Sequence, residues 1–451
     1  MKKCFLIIIG LLCFPYVLQS EVNTAVSDIK WNGYLLTDNR LALNGENEYT
    51  WQETRLALQM DAKPTEKTHF YSEIWVRSLG FPAVQNSADL TDKQKVAPLN
   101  LDFREAYVDL YGCFFEKLDL RIGKQRIAWG TADKMNPTDN INPKDLEDMW
   151  DFGRYLGSEG IKASYYLSDF TFTGVCIPQF TPAVLPQGDI ASALSPAMTL
   201  PAGMSVRNIA SVVALPRNNP EESSTAGIKV SKNILGYDFS LSYASHRDDL
   251  PLADRVSFAP TGSPGQVDIA TELIYPKVRV AGMDMSGSIG NVGIWFEAAT
   301  SFPDEVKMTT DLTALGMGTS ESITLEDKPY TKYAAGVDYT FKSGIYTNVQ
   351  YVHGFFHERG EENLEDYLTF AMDCKFLDDK LKITPIGGAA VVKDFNDVEN
   401  NYGIAYCPEI AYTIDNAELS LGARLIDGTD TTIFGRMKDN DDAYIKVKYS
   451  F

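Results

Sequence analysis

Past its first twenty residues the sequence has no apolar run of the ~20 residues that a helix needs to cross a membrane, so helical insertion of the body of the chain is excluded. Histidine is scarce, four in 451 residues. His69, His246, His353 and His357 offer no recognisable His–Ser or Asp–His arrangement oriented by a third polar group, the minimum for nucleophilic catalysis. His246-Arg247-Asp248-Asp249 comes nearest and reads equally as a solvated loop end. His353 and His357 lie four apart but lack a third ligand at convincing spacing for zinc. Cysteine is sparse and never closely paired: Cys113, Cys176, Cys374 and Cys407 read as isolated small apolar residues rather than as a metal or redox motif. No catalytic residue, metal or cofactor is therefore expected. Basic residues are also in deficit, 41 against 61 acids for a net charge of −20, which argues against nucleic acid as a partner.

What is present begins with an export signal. Met1-Lys2-Lys3 is positively charged, Cys4 to Cys13 is an apolar run of half the spanning length, and Ser20 is a small residue suited to precede a cut. Residues 1–20 are thus expected to be removed, leaving 21–451 as a single extracytoplasmic domain.

The composition of that domain, 44% hydrophobic, fits a periplasmic enzyme as well as a membrane barrel, and the alternation of residues decides between them. Ala443, Ile445, Val447, Tyr449 and Phe451 point one way, and Tyr444, Lys446, Lys448 and Ser450 the other, which is the period of a strand with one oily and one wet face. Similar runs recur at His69–Arg77, Tyr367–Phe376 and Asn416–Ile426, each close to the 9–11 residues of a tilted spanning strand. The connections alternate too. Short ones such as Leu167-Ser168-Asp169 and Asp415-Asn416 take turns with long ones such as 79–102, 127–156, 180–222, 247–270 and 301–328. A soluble sandwich has no reason to sort its loops by parity, whereas a transmembrane barrel does. The spacing predicts an all-β antiparallel transmembrane barrel of about 18 strands, with 16 possible, and a lumen too wide for side chains to fill.

The predicted inward faces carry charge of both signs, with Arg77, Arg121, Lys277, Arg279, Arg424, Lys446 and Lys448 as the basic part of the wall. The loop 127–156 is the candidate to enter the lumen. Gly123 suits a bulge or a close backbone approach before it, and Asn136-Pro137-Thr138-Asp139 and Asn142-Pro143-Lys144-Asp145 read as caps of short helical turns. Its acids, Asp133, Asp139, Asp145, Glu147 and Asp148, outnumber its bases, so an inward loop predicts an acidic constriction and a preference for cations.

The string Gly123-Lys124-Gln125-Arg126, followed by Trp129-Gly130, Asp133, Asp139 and Asn142-Pro143, resembles the G-[KR]-Q…W-G…D block of porin-like Gram-negative outer-membrane families. These include an uncharacterised proteobacterial family and, more distantly, alginate-export-like barrels. The resemblance implies a barrel of the size threaded above. Phe451, closing an alternating strand, resembles the signal that such proteins present to the barrel-assembly machinery. The expected partners are accordingly outer-membrane lipid, that machinery, and a small polar or ionic solute passing through a non-enzymatic porin. A barrel enzyme acting on lipid or surface polymer, and a structural or adhesive barrel, are the alternatives.

Overall fold

A strand with one oily and one wet face is stable in a bilayer only if its backbone groups find partners on both edges, which requires the sheet to close. The computed structural model describes residues 29–45, 48–187, 189–194 and 203–451; the expected export signal at 1–20 lies outside the described residues. In chain order the described strands are β1 (Ile29–Ala42), β2 (Tyr49–Thr65), β3 (Thr68–Leu79), β4 (Asn100–Leu110), β5 (Leu118–Gln125), β6 (Ser158–Leu167), β7 (Phe170–Ile177), β8 (Ser205–Val213), β9 (Thr225–Ile234), β10 (Tyr237–Arg247), β11 (Leu252–Pro260), β12 (Gln266–Ile274), β13 (Lys277–Ile289), β14 (Val292–Pro303), β15 (Val306–Asp311), β16 (Thr319–Leu325), β17 (Tyr330–Thr340), β18 (Tyr346–His353), β19 (Asp366–Phe376), β20 (Leu381–Val392), β21 (Tyr402–Tyr406), β22 (Glu409–Ile414), β23 (Ala417–Gly428) and β24 (Asp442–Ser450).

Nineteen of them make one antiparallel sheet, and β1 pairs with both β2 and β24, so the sheet closes on itself. β21 and β22 occupy a single wall position between β20 and β23, interrupted at Cys407-Pro408, where the proline has no N–H for the ladder. The wall therefore has 18 strand positions, as the loop parity predicts. On one side the connections are tight. Leu235-Gly236, with φ of 55° and 88°, turns β9 into β10 with both residues left-handed, the backbone that matches the twist of a hairpin.

The wall is inside-out relative to a soluble protein. Leu101, Leu241, Leu421 and Ile445 are exposed on its outer face, whereas Asp38, Arg40, Glu53, Arg55 and Arg77 are buried within. An apolar outer belt around a closed 18-strand barrel, with charge inside, places the protein in the outer membrane.

Three features differ from the sequence reading. The long loops 180–222, 247–270 and 301–328 are not plain loops. They contribute β8, β11–β12 and β15–β16, which join as a separate five-stranded sheet in the order β16-β15-β11-β12-β8. Two of its pairings, β11 with β15 and β12 with β8, are parallel and link different loops. The segments alternate as wall strands do, as in Arg255-Val256-Ser257-Phe258, and only their position between longer runs disguised them. Gly123 does not interrupt β5. The strand runs to Gln125 in unbroken register with β4, and no bulge occurs there. Of the two expectations for Gly123 the close backbone approach holds, since a Cβ at its φ of 130° would lie 2.3 Å from the Ala106 carbonyl oxygen. Finally, Lys277 and Arg279 are not on the lumen face. On β13 the inward residues are Val278, Val280 and Asp284, all buried, and the odd-numbered positions face outward; Lys277 lies 3.6 Å from Glu222 at the loop side. The inward valines pack with Ala299 beneath the loop 126–157, so that apolar contact sets the parity.

Candidate pore constriction

The loop 126–157 leaves β5 and returns in β6, and its root is locked by side chains from the block that the sequence singles out. Gln125 is fully buried and donates to the Gly160 carbonyl at 3.0 Å. Asn142 folds back to accept from the Ile127 N–H at 2.6 Å and donates to the Gln125 carbonyl and the Ser158 hydroxyl. Arg126 forks onto Asp139 and lies 3.7 Å from the centre of the Tyr155 ring. Trp129 is buried against Gly227 of β9, where a Cβ would stand 2.7 Å from the indole. Lys124 falls on the outward face with Ile122, away from this lock. Asn136 and Asn142 do not cap helical turns, and the loop contains no helix. Their amides are drawn instead to the Ala132 carbonyl and to the loop root, and of the backbone amides that would start a helix Lys144 N–H goes to Asp249 and Thr138 N–H to a wall residue.

That wall residue is Glu297 on β14. It is wholly buried and accepts from the backbone N–H groups of Thr131 at 2.8 Å, Ala132 at 3.0 Å and Thr138 at 2.6 Å, and from the Thr138 hydroxyl at 2.8 Å. A carboxylate answering a converging set of amides is what lets this backbone enter the barrel without orphaned donors. Gly130 is required for the approach. Its φ is 88°, and a Cβ there would be 2.4 Å from the Glu297 carboxylate. Next to it, Gln350 on β18 accepts from Asp133 N–H at 2.8 Å and donates to the Asp133 carbonyl at 3.1 Å, and the Asn348 amide lies 3.3 Å from the Asp133 carboxylate.

The other end of the loop docks on the opposite arc of the wall through ion pairs. Arg40 on β1 donates to Asp148 at 2.8 Å, Arg77 on β3 to Glu147 at 2.8 Å, and Arg104 on β4 to Asp145 at 2.8 Å. Arg154, within the loop, bridges Asp145 and Glu147 at 2.9 Å each. The guanidinium carbons of Arg55 and Arg104 sit 4.0 and 4.3 Å from the Trp75 ring centre, an arrangement worth more where water is excluded. β14 and β18 are the eleventh and thirteenth of the 18 wall positions counted from β1, so the loop crosses the lumen from one side to nearly the opposite side.

Four of the five predicted loop acids are consequently paired with cations, while Asp133 is exposed and touches a neutral amide. Asp139, Asp145, Glu147 and Asp148 each meet an arginine, and Asp133 meets Asn348; the expected acidic constriction is replaced by a seam of paired charge. Burial works against ionisation of Asp148, but hydrogen bonding and charge from Arg40 outweigh it and hold the carboxyl below its usual range. Asp145 is held low in the same way, burial being overcome by Arg154 and Arg104. Of the predicted basic wall, Arg77 also pairs with Glu53 at 2.7 Å, Arg121 with Asp109 at 2.7 Å and Arg424 with Asp442 at 3.0 Å. Lys446 lies 3.9 Å from Asp38 and Lys448 over the Tyr34 ring, both inside. Phe451 is outside, its backbone paired in both directions with Gly33 at the seam where β1 meets β24.

Sequence reasoning missed Arg40, Arg104, Glu297 and Gln350. Two of them were signalled: Asp38-x-Arg40 repeats the inward acid-x-arginine spacing of Glu53-x-Arg55, and Glu297 is a lone acid in the apolar run Trp295-Phe296-Glu297-Ala298-Ala299. His69, buried on the lumen face, lies between two carboxylates, with Nδ1 2.8 Å from Asp109 and Nε2 3.0 Å from Asp61. His353 bonds Asp366 at 2.7 Å and His246 the Arg247 carbonyl at 2.7 Å, while His357 sits against Phe355 and Phe356. Among the described residues no group of three or more His, Cys, Asp or Glu is placed to hold a metal ion.

Solved structures similar to the chain are outer-membrane barrels. OccK11 of Pseudomonas aeruginosa aligns at a TM-score of 0.49 and 7% identity, over 94% of this chain and 96% of its own. OccAB1 of Acinetobacter baumannii aligns at 0.49 and 10%, over 97% and 99%. Salmonella typhi OmpF, solved with daunomycin, aligns at 0.40 and 9%, over 94% and 97%. No protein of curated function matches the sequence. The family model of a protein of unknown function, DUF1302, matches residues 21–360, three-quarters of the chain, and the protein is a member of the DUF1302 family.

Proposed function

We propose that the protein is an outer-membrane channel for passive passage of small polar or ionic solutes, catalysing no reaction. The observation that carries this reading is the loop 126–157 held across the lumen between Arg40, Arg77 and Arg104 on one arc and Glu297 and Gln350 on the other. A lumen lined with charge holds water. A loop docked by hydrogen bonds and ion pairs narrows it to solutes of modest size, and loops on rigid scaffolds commonly set such selection. The test is conductance of the purified protein in planar bilayers, wild type against a variant with residues 131–150 replaced by a short Gly-Ser linker. Discrete channel steps that grow in the variant support the reading. Absence of steps in both, with a folded barrel, overturns it.

A further inference from the structure

Between the crossing loop and the wall at β17–β18 lies a cavity whose lining is chemically one-sided. Four cationic side chains reach it, Lys134, Lys144, Arg154 and Lys332, and no carboxylate does. Its apolar part is aromatic: Phe152 and Phe355 have ring centres 5.8 Å apart, and Phe355 and Phe356 4.4 Å apart. In a chain of net charge −20, with loop acids as abundant as here, four cations without an acid is an arrangement that the sequence average does not produce.

Two of the cations are already engaged. Lys332 donates to the Phe355 carbonyl at 2.5 Å and Lys144 to Asp249 at 3.2 Å. Arg154 is engaged on one side only. Its Nε and Nη2 face Asp145 and Glu147, which fixes the guanidinium plane, while Nη1 is buried with no hydrogen-bond partner, on a side chain 94% withdrawn from solvent. Arg77, which shares the Glu147 oxygen with Arg154, likewise keeps a buried, unpartnered Nη2. Lys134 is exposed at the rim. A buried guanidinium nitrogen without an acceptor is costly, and few such groups persist without an occupant.

We propose that this cavity is a binding subsite for an aromatic monocarboxylate, its carboxylate taken by Arg154 Nη1 with Lys134 at the mouth and its ring set among Phe152, Phe355 and Phe356. A carboxylate supplies the acceptor and the compensating charge. A ring suits the three phenylalanines, which favour offset or edge contacts over an aliphatic chain. The assignment names the solute of the channel proposed above and rests on that reading only for passage; binding itself does not require it.

The test uses the full chain refolded in detergent, with benzoate as the probe and benzylammonium and acetate as controls of shape and of charge. Calorimetric titration should show saturable benzoate binding, acetate weaker, and benzylammonium none. Arg154→Gln should weaken benzoate by about tenfold or more, the equivalent of one charge-assisted hydrogen bond. Because Arg154 also helps to dock the loop, Phe152→Ala and Lys134→Gln provide independent arms, each expected to weaken benzoate while leaving the heat-modifiable barrel intact. In bilayers benzoate should interrupt the wild-type current. Benzylammonium binding as well as benzoate, or benzoate affinity unchanged in all three variants, overturns the site. Benzoate binding without any channel current leaves the site and removes the channel; current without benzoate binding does the reverse.

Discussion

Arg40, on the first wall strand, and Asp148, in the middle of a loop that starts more than eighty residues later, share a buried two-pronged ion pair, and Asp38 braces the same guanidinium at 2.7 Å. Both partners are withdrawn from solvent, so neither can lose the other cheaply. Removing one member of such a pair costs about 3–5 kcal/mol, because the charge left behind has no water to turn to. Asp148→Asn and Arg40→Gln should each raise bilayer conductance and add open-state noise by freeing this end of the loop. The double variant should differ less from either single one than their sum. Strict additivity would mean that the pair does not hold the loop.

Glu297→Gln keeps the size of the side chain but turns one acceptor into a donor aimed at backbone N–H groups. The amides of Thr131, Ala132 and Thr138 then compete for one oxygen. Each amide left unsatisfied costs about 1–3 kcal/mol. Limited proteolysis of refolded protein should cut between residues 128 and 150 in the variant and spare the wild type. Equal resistance would show that the far anchor is dispensable.

Acid should release the loop. The carboxyls of Asp145 and Asp148 lie below their ordinary range while docked and return to it once undocked. A depressed carboxyl contributes docking stability that is present above the undocked pKa, about 3.9, and is lost as pH falls through the docked value. Two groups outside the wall act with the same sign. Burial and the positive charge of Lys332 hold His357 neutral down to about 3, so acid favours any state that exposes it, and Asp248, buried but held at about 2 by Arg359, ties neighbouring loops. Conductance should therefore rise on acidification, most steeply below pH 4. A fall on acidification would contradict the scheme.

Neutralising Asp139, Asp145, Glu147 and Asp148 together should not simply abolish a cation preference. The arginines that face them would be uncovered and the loop loosened, so reversal potentials across a KCl gradient should move toward anions while conductance rises. The shift should shrink at higher salt as the screening length falls from roughly 10 Å at 0.1 M. A smaller pore with unchanged selectivity would refute the paired seam.

At the barrel closure, the Phe451 backbone pairs with Gly33 in both directions and its ring lies against the same residue. Phe451→Asp puts a charge on the lipid-facing side of that seam and is expected to lower the fraction that migrates as folded barrel on unheated gels, more than Ser450→Asp does. Indistinguishable yields from the two variants would remove any special role for the ring.

The barrel itself was legible because alternation and loop parity are properties of neighbouring residues. The inward reading of Arg77, Arg121, Arg424, Lys446 and Lys448 follows from one consistent two-residue period. Lys277 and Arg279 escaped it because β13 begins with two inward valines that pack beneath the loop, so apolar residues there do not mark the lipid side. The candidate site was half legible. The block from Gly123 to Pro143 pointed to an ordered loop, but the loop's partners Arg40, Glu297 and Gln350 lie 108 to 217 residues from the residues they meet. No local pattern reports what a side chain meets at that range. The two Asn-Pro-x-Asp repeats misled for the same reason: a local capping preference yields when a distant carboxylate, Glu297 for Thr138 N–H and Asp249 for Lys144 N–H, offers the amide a better acceptor.

The five-stranded sheet outside the wall is built from three loops, with β8 joining β12, and β11 joining β15, side by side in parallel. The chain between parallel partners includes wall strands, β9 and β10 between β8 and β12, and β13 and β14 between β11 and β15. The sheet therefore ties three loops that leave different wall strands into one unit. It follows that any surface it presents is discontinuous. A ligand or antibody that reads from β15 across β11 and β12 to β8 is reading three loops at once, and peptides copied from any one of them would not compete for it.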